Sequence, residues 1–146
     1  MKYLILLALL CLPAYAEQVC SAHDGDTFKL CNGQSIRVWG IDAPELKQPV
    51  GRDARDYMRR LVIGREVDLD CVGKSYKRRV CRVSVWVGSN APISVQNEMV
   101  GHGLAYDSPK YSKGAYAEAE AFAKSLNRGV WALPGGGVRP WDWRKR

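Results

Sequence analysis

Residues 19–41 read VCSAHDGDTFKLCNGQSIRVWGI, and this stretch sets the architecture. Asp24-Gly25 separates two extended runs, Val19 to His23 and Thr27 to Cys31, as a hairpin turn does. Asn32-Gly33 is a second turn signal. Ser35 to Ile41 then reads as a third strand, with Ile36 and Val38 sharing one face by period-two alternation.

Working outward, Pro44 stops the third strand and a loop runs through Gly51. Ala54, Tyr57, Met58, Leu61 and Val62 recur at helical spacing, with Arg52, Arg55, Asp56, Arg59 and Arg60 on the opposite face. Arg59 and Arg60 stand near the helix end, where the dipole favours cations, and Gly64 is the stop. Val67, Leu69 and Cys71 alternate, as do Cys81, Val83, Val85 and Val87, which predicts two more strands. Val95, Met99 and Val100 predict a short helix. Ala115, Ala119, Phe122, Ala123 and Leu126 predict a longer amphipathic one, ended by Gly129. Five short strands with an inserted helix fit a small α+β barrel of the OB type.

The start of the chain is of another kind. Met1-Lys2-Tyr3, the apolar run Leu4 to Leu12, Pro13 and Ala14-Tyr15-Ala16 read as a secretory signal peptide cleaved after Ala16. The apolar run is shorter than the roughly 20 residues that a bilayer span needs. Residues 17–146 are then one domain, able to bury its own core and with no second apolar span. The protein is expected to be exported, periplasmic or secreted, free of the membrane after cleavage, and monomeric.

The formal net charge of the 146 residues is +7, and losing Lys2 leaves a basic chain. Such a surface attracts polyanions, nucleic acid among them. Cys11 departs with the signal, so Cys20, Cys31, Cys71 and Cys81 remain, an even number that fits two disulfides in an oxidising compartment. No Cys-x-x-Cys pair is present and neither His23 nor His102 has suitable spacing for zinc. Strand parity puts Cys71 and Cys81 on the apolar faces of their strands, and Cys20 and Cys31 opposite apolar Val19 and Leu30. Cysteines on one face of a hairpin can meet, so the expected pairs are Cys20–Cys31 and Cys71–Cys81, unless a bulge shifts the parity. Each pair closes a loop of about ten residues, contributing on the order of 2–3 kcal/mol.

Acidic and basic residues gather in three segments: Asp24-Gly25-Asp26-Thr27, Ile36 to Glu45, and Tyr76 to Arg82. Phosphodiester hydrolysis needs a cation to offset the phosphate charge, donors for the equatorial oxygens, and a group to orient or deprotonate water. Calcium takes oxygen ligands, and the planar arginine fork matches phosphoryl oxygens. Two Asp, one Glu and two Arg from neighbouring strands supply this set. Singly, each residue has an ordinary structural use: Asp beside Gly shapes turns, and Lys77-Arg78-Arg79 reads as a solvated basic loop. Arg37 within an apolar strand needs a partner if it faces inward.

Taken together, Asp24-Gly25-Asp26-Thr27, Ile36-Arg37-Val38 and Gly40-Ile41-Asp42-Ala43-Pro44-Glu45 resemble the signature of the staphylococcal nuclease (thermonuclease) family. Tyr76-x-Arg78 resembles its second signature, and Arg128-Gly129-Val130-Trp131 and Pro140-Trp141-Asp142-Trp143-Arg144 are similar to members' endings. The resemblance runs from about Val19 to Arg144. It implies a five-stranded OB barrel with three helices and a Trp-rich tail. It implies a calcium-dependent endonuclease acting on DNA and RNA with low sequence specificity, leaving 3′-phosphate and 5′-hydroxyl ends. It implies one calcium ion held by the Asp26 and Asp42 carboxylates and the Ala43 carbonyl. Glu45 would orient or deprotonate water, and Arg37 and Arg78 would hold the phosphate. Tyr76 and Tyr111 would flank the nucleotide. The family usually has glycine where this chain has Lys77, and Arg78 is favoured over Arg79 by its distance from Tyr76. The alternative is an OB barrel that binds nucleic acid without cutting it.

Overall fold

The computed structural model describes residues 17–88 and 91–146. The signal peptide assigned to residues 1–16 lies outside the described residues.

Strands β1 (Glu17–Ala22), β2 (Thr27–Leu30) and β3 (Ser35–Val38) form an antiparallel meander through the two predicted turns. β5 (Glu66–Ser75) and β6 (Arg78–Val85) form a hairpin, and β5 pairs with β1. The barrel closes where β3 and β6 run parallel, with Arg37 opposite Val80 and Val38 opposite Cys81. The cyclic order β3-β2-β1-β5-β6 is a closed five-stranded barrel of the predicted OB type. Closure leaves inward positions to apolar side chains. Val19, Phe28, Leu30, Ile36, Val38, Val67, Cys81, Val83 and Val85 are all buried.

The predicted third strand is broken in two. Gly40 turns the chain with a φ of 77°, so Trp39 and Gly40 leave the ladder and β4 (Ile41–Asp42) pairs instead with β8 (Tyr106–Asp107). This break moves Asp42 off the barrel wall and beside the following loop. A two-residue strand β7 (Ile93–Ser94) extends the sheet beyond β6.

Helix α1 (Gly51–Val62) buries Ala54, Met58, Leu61 and Val62, the stripe read from the sequence. Helix α2 (Val95–Gly101) is capped by the Ser94 hydroxyl, which accepts from the Asn97 N–H at 3.3 Å, and buries Val95, Met99 and Val100. Helix α4 (Ala117–Ser125) begins two residues later than its expected pattern. Its Phe122 and Leu126 are exposed; Ala123 is its buried contact. Two single turns, α3 (Pro109–Ser112) and α5 (Pro140–Trp143), bring the described helices to five rather than three. Each starts with a proline, which is favoured at the first helical position. Among the described residues, no helix is long and apolar enough to cross a membrane.

Two disulfides, Cys20–Cys31 and Cys71–Cys81, tie neighbouring strands. Cys71 and Cys81 stand opposite each other on one face, as expected, although Cys81 is buried and Cys71 is exposed. A register shift follows, between Cys71 and Gly73. A second register shift lies between Val19 and Ser21, at Cys20 itself. Pairing survives both bulges because Cys71 stands directly opposite Cys81 in the ladder, and Cys31 donates its N–H to the Gln18 carbonyl at 2.9 Å beside Cys20.

Candidate active site

The β1–β2 turn, β3, β4 and the loop before α1 bring their charged residues to one end of the barrel. A side chain at Gly25 would meet the Ala43 Cβ at 2.6 Å, so glycine there lets the Asp24–Asp26 turn lie against the start of the next loop. Asp26 then reaches Ala43, whose N–H donates to Asp26 Oδ2 at 2.8 Å. Its other oxygen accepts from the Thr27 hydroxyl at 3.0 Å. Gly51 plays a similar part, since a Cβ there would collide with the Glu45 carbonyl oxygen. The loop between them is wound tightly: Gln48 N–H donates to the Glu45 carbonyl at 2.8 Å and Gly51 N–H to the Gln48 carbonyl at 3.0 Å.

Ile36 and Val38 point into the barrel, so Arg37 points out of it, toward this end. Its fork spans two buried carboxylates. Nη1 lies 3.2 Å from Asp26 Oδ2, and Nη2 lies 3.0 Å from Asp42 Oδ1. Nη1 also donates to the Val38 carbonyl at 3.0 Å. The inward-charge concern is thereby answered: Arg37 has its partners.

A second guanidinium enters from the far end of the sequence. Arg144 Nη2 stands 2.6 Å from Asp42 Oδ2, and Nη1 stands 2.6 Å from Glu45 Oε1. Asp42 therefore accepts from both arginines, while Glu45 accepts from Arg144. Four carboxylates, from Asp24, Asp26, Asp42 and Glu45, face two arginines in this cluster. The imbalance shows in the protonation. Burial, then the neighbouring Asp26 charge, raises the Asp24 carboxyl to about 7. Burial also raises Asp42, although the Arg144 hydrogen bond works in the other direction. Burial works against the Arg144 charge, but its bonds to Asp42 and Glu45 outweigh that and raise its pKa.

Among the described residues no three His, Cys, Asp or Glu side chains converge as a ready-made metal cage. The expected calcium set is smaller, with two carboxylates and the Ala43 carbonyl. Asp26 and Asp42 meet at the two arms of a single guanidinium, they are oxygen donors, and buried negative charge there is in excess. The chemistry of this set fits a hard divalent cation that keeps water in its remaining positions.

The other predicted residues lie at the β5–β6 hairpin and beyond. Arg78 stands two positions before Val80, the partner of Arg37, and so shares its strand face. Among the described residues its side chain has one hydrogen bond, to the Ser75 hydroxyl at 3.5 Å. Arg79 is engaged elsewhere, 3.0 Å from Glu17. Tyr76 sits at the hairpin tip, 96% exposed, with a φ of 55°. Tyr111 is in α3, exposed, with Lys110 5.4 Å from its ring centre. No hydrogen bond among the described residues joins either tyrosine to the carboxylate cluster.

Three members of the cluster escaped the sequence reading. Asp24 reads as a turn residue and does serve as one, accepting the Asp26 N–H at 3.0 Å. Gln48 is buried; its Oε1 accepts the Glu45 N–H at 2.8 Å and its Nε2 donates to the Val138 carbonyl at 2.9 Å. Arg144 carries no local signal except its place after Pro140-Trp141-Asp142-Trp143.

The family described as staphylococcal nuclease homologue matches residues 35–133. A protein of Oryza sativa subsp. japonica named "Probable staphylococcal-like nuclease CAN3" is 37% identical over 116 residues, covering 75% of this chain but only 28% of that protein. A protein of Escherichia coli O157:H7 named "Uncharacterized endonuclease" is 33% identical over 128 residues, covering 84% of this chain and 80% of the relative. "Protein ParB" of Escherichia coli is 33% identical over 153 residues, covering 91% and 82%. The chain thus spans little of its plant relative and most of its bacterial ones. With this match over more than half its length, on a closed five-stranded barrel, the chain belongs to the staphylococcal nuclease family.

Proposed function

We propose that this chain is an exported, calcium-dependent endonuclease that hydrolyses phosphodiester bonds of DNA and RNA with little sequence preference. It would leave 3′-phosphate and 5′-hydroxyl ends. One observation carries the reading: Arg37 bridges Asp26 and Asp42 beside Glu45, at the end of a barrel of this family. The donor set supports one calcium ion on Asp26, Asp42 and the Ala43 carbonyl. When bound, the ion would offset phosphate charge and polarise a phosphoryl oxygen.

The protein's own groups do the rest. Glu45 orients the attacking water and accepts its proton. Arg37 and Arg78 donate to the phosphoryl oxygens, where negative charge grows in the transition state and fixed donors are worth most. Arg78 would also assist departure of the 5′ oxygen. Tyr76 and Tyr111 offer ring faces to bases, a contact that tolerates any sequence. The two disulfides and the signal-like residues 1–16 support export, with residues 17–146 acting as one monomeric domain ending in a Trp-rich tail.

The test is cleavage of single-stranded DNA and of RNA by the mature protein, with calcium and with a chelator, alongside Glu45→Gln. The expected result is calcium-dependent cleavage that falls by about 10²–10⁴-fold in the variant. Tight, salt-sensitive binding without cleavage would replace this reading with that of an OB binding module.

A further inference from the structure

The tail after residue 133 carries Arg144 into the site. It is fastened at several points. Tyr106 donates its hydroxyl to the Gly136 carbonyl at 2.6 Å. Arg139 lies 4.2 Å from the Tyr106 ring centre and 4.7 Å from that of Trp131, a cation set against two aromatic rings. Gln48 joins Val138 to the Glu45 loop. From this anchorage the single turn α5 projects, and Arg144 closes it.

Arg144 occupies the groups that a metal and a water would need. Its fork covers Asp42 Oδ2 and Glu45 Oε1 at 2.6 Å each, and Nη1 is 3.4 Å from Asp42 Oδ1. Arg37 takes Asp42 Oδ1 at 3.0 Å, so each oxygen of this carboxylate already accepts a guanidinium N–H. A divalent cation on Asp42 would face the Arg144 charge across one carboxylate, where like charges repel strongly. The two cations therefore compete for Asp42. Arg144 can yield: its side chain is 47% exposed, whereas the Arg139 anchor does not depend on it.

We propose that Arg144 is a working member of the active site, an internal cation that holds Asp42 and Glu45 together and sets how much calcium the enzyme requires. This inference rests on the reading of Asp26 and Asp42 as calcium ligands. Arg144 would leave Asp42 when calcium binds and so free Glu45 for water, while the anchored tail would keep the guanidinium at the rim at high local concentration. The apparent calcium affinity is then the intrinsic affinity multiplied by the fraction of molecules with Arg144 withdrawn.

The experiment is calorimetric titration of calcium into the mature protein without nucleic acid, for wild type, Arg144→Gln, Arg144→Lys and a chain ending at Trp143. The expected result is calcium binding tightened about tenfold or more in Arg144→Gln, as for a tail that covers Asp42 most of the time. The shortened chain should match it, and Arg144→Lys should return toward wild type because the charge is kept. Unchanged or weaker affinity in both Arg144→Gln and the shortened chain overturns the proposal and leaves the calcium site standing. Absence of binding by every chain, wild type included, overturns the calcium site and this inference together. The shortened chain guards against a folding defect peculiar to glutamine.

Discussion

Asp42 is gripped by two arginines from unlike parts of the molecule. Arg37 rises from the middle of a barrel strand, is 19% exposed, and also meets Asp26. Arg144 arrives on a one-turn helix near the end of the tail, is 47% exposed, and meets Glu45 instead. The barrel cation is fixed by its strand register and by a backbone bond to Val38. The tail cation is fixed by its anchor and its charge. The difference separates two positions within one cluster: a cation held low on a barrel strand beside both aspartates, and a more open one at the rim that we propose gives way to metal.

The largest effect expected concerns which cations act on substrate. Arg78 shares the strand face of Arg37, while Arg79 is paired with Glu17. Arg78→Lys should lower the rate of cleavage about 10²-fold, because a point charge replaces a bidentate donor at the phosphate. Arg79→Lys should leave the rate close to wild type. Steady-state rates at saturating calcium decide it, and a larger loss at Arg79 would move the phosphate away from the face that Arg37 and Arg78 share.

A stability measurement sharpens the contrast between the two guanidinium groups. Arg37→Gln leaves two buried carboxylates without their shared partner and should cost about 3 kcal/mol. Arg144→Gln removes a pair half open to water and should change stability by no more than about 1 kcal/mol. Denaturant unfolding in a chelator measures both. Equal losses would mean that the tail is as much a part of the folded frame as β3.

The barrel half of this site was legible in the sequence and the tail half was not, for a physical reason. Asp26, Arg37, Asp42 and Glu45 lie within twenty residues, on strands whose period-two pattern and glycine turns state their geometry. Asp26 and Asp42 meet because Gly25 lets the turn touch Ala43, a local consequence of local chemistry. Arg144 reaches Asp42 across about a hundred residues. That contact depends on Tyr106 and Trp131 clasping Arg139, and on Gln48 tying the tail to the Glu45 loop. No single segment encodes it. The exposed Phe122 and Leu126 show the same limit, since a helical stripe says nothing about which of its residues find a partner. Cys71 shows it in the sheet, where alternation gives its face but not that it is exposed while its partner Cys81 is buried.

A pH-dependent effect is expected from the part of the cluster that Arg144 does not touch. Asp24 lies beside Asp26 and Arg37, and its burial, then the neighbouring Asp26 charge, raises the Asp24 carboxyl to about 7 from an ordinary 3.8. Between those values the folded chain binds more protons than the unfolded chain, so this group makes stability fall as pH rises through the window. Asp24→Asn has no proton to lose. In a chelator, the variant should gain on wild type steadily from about pH 4 to about pH 7 and hold a constant margin above it. Unfolding curves across that range measure the difference directly. Parallel curves would show that Arg37 by itself neutralises the turn, and that the barrel side of the site is already in balance without a metal.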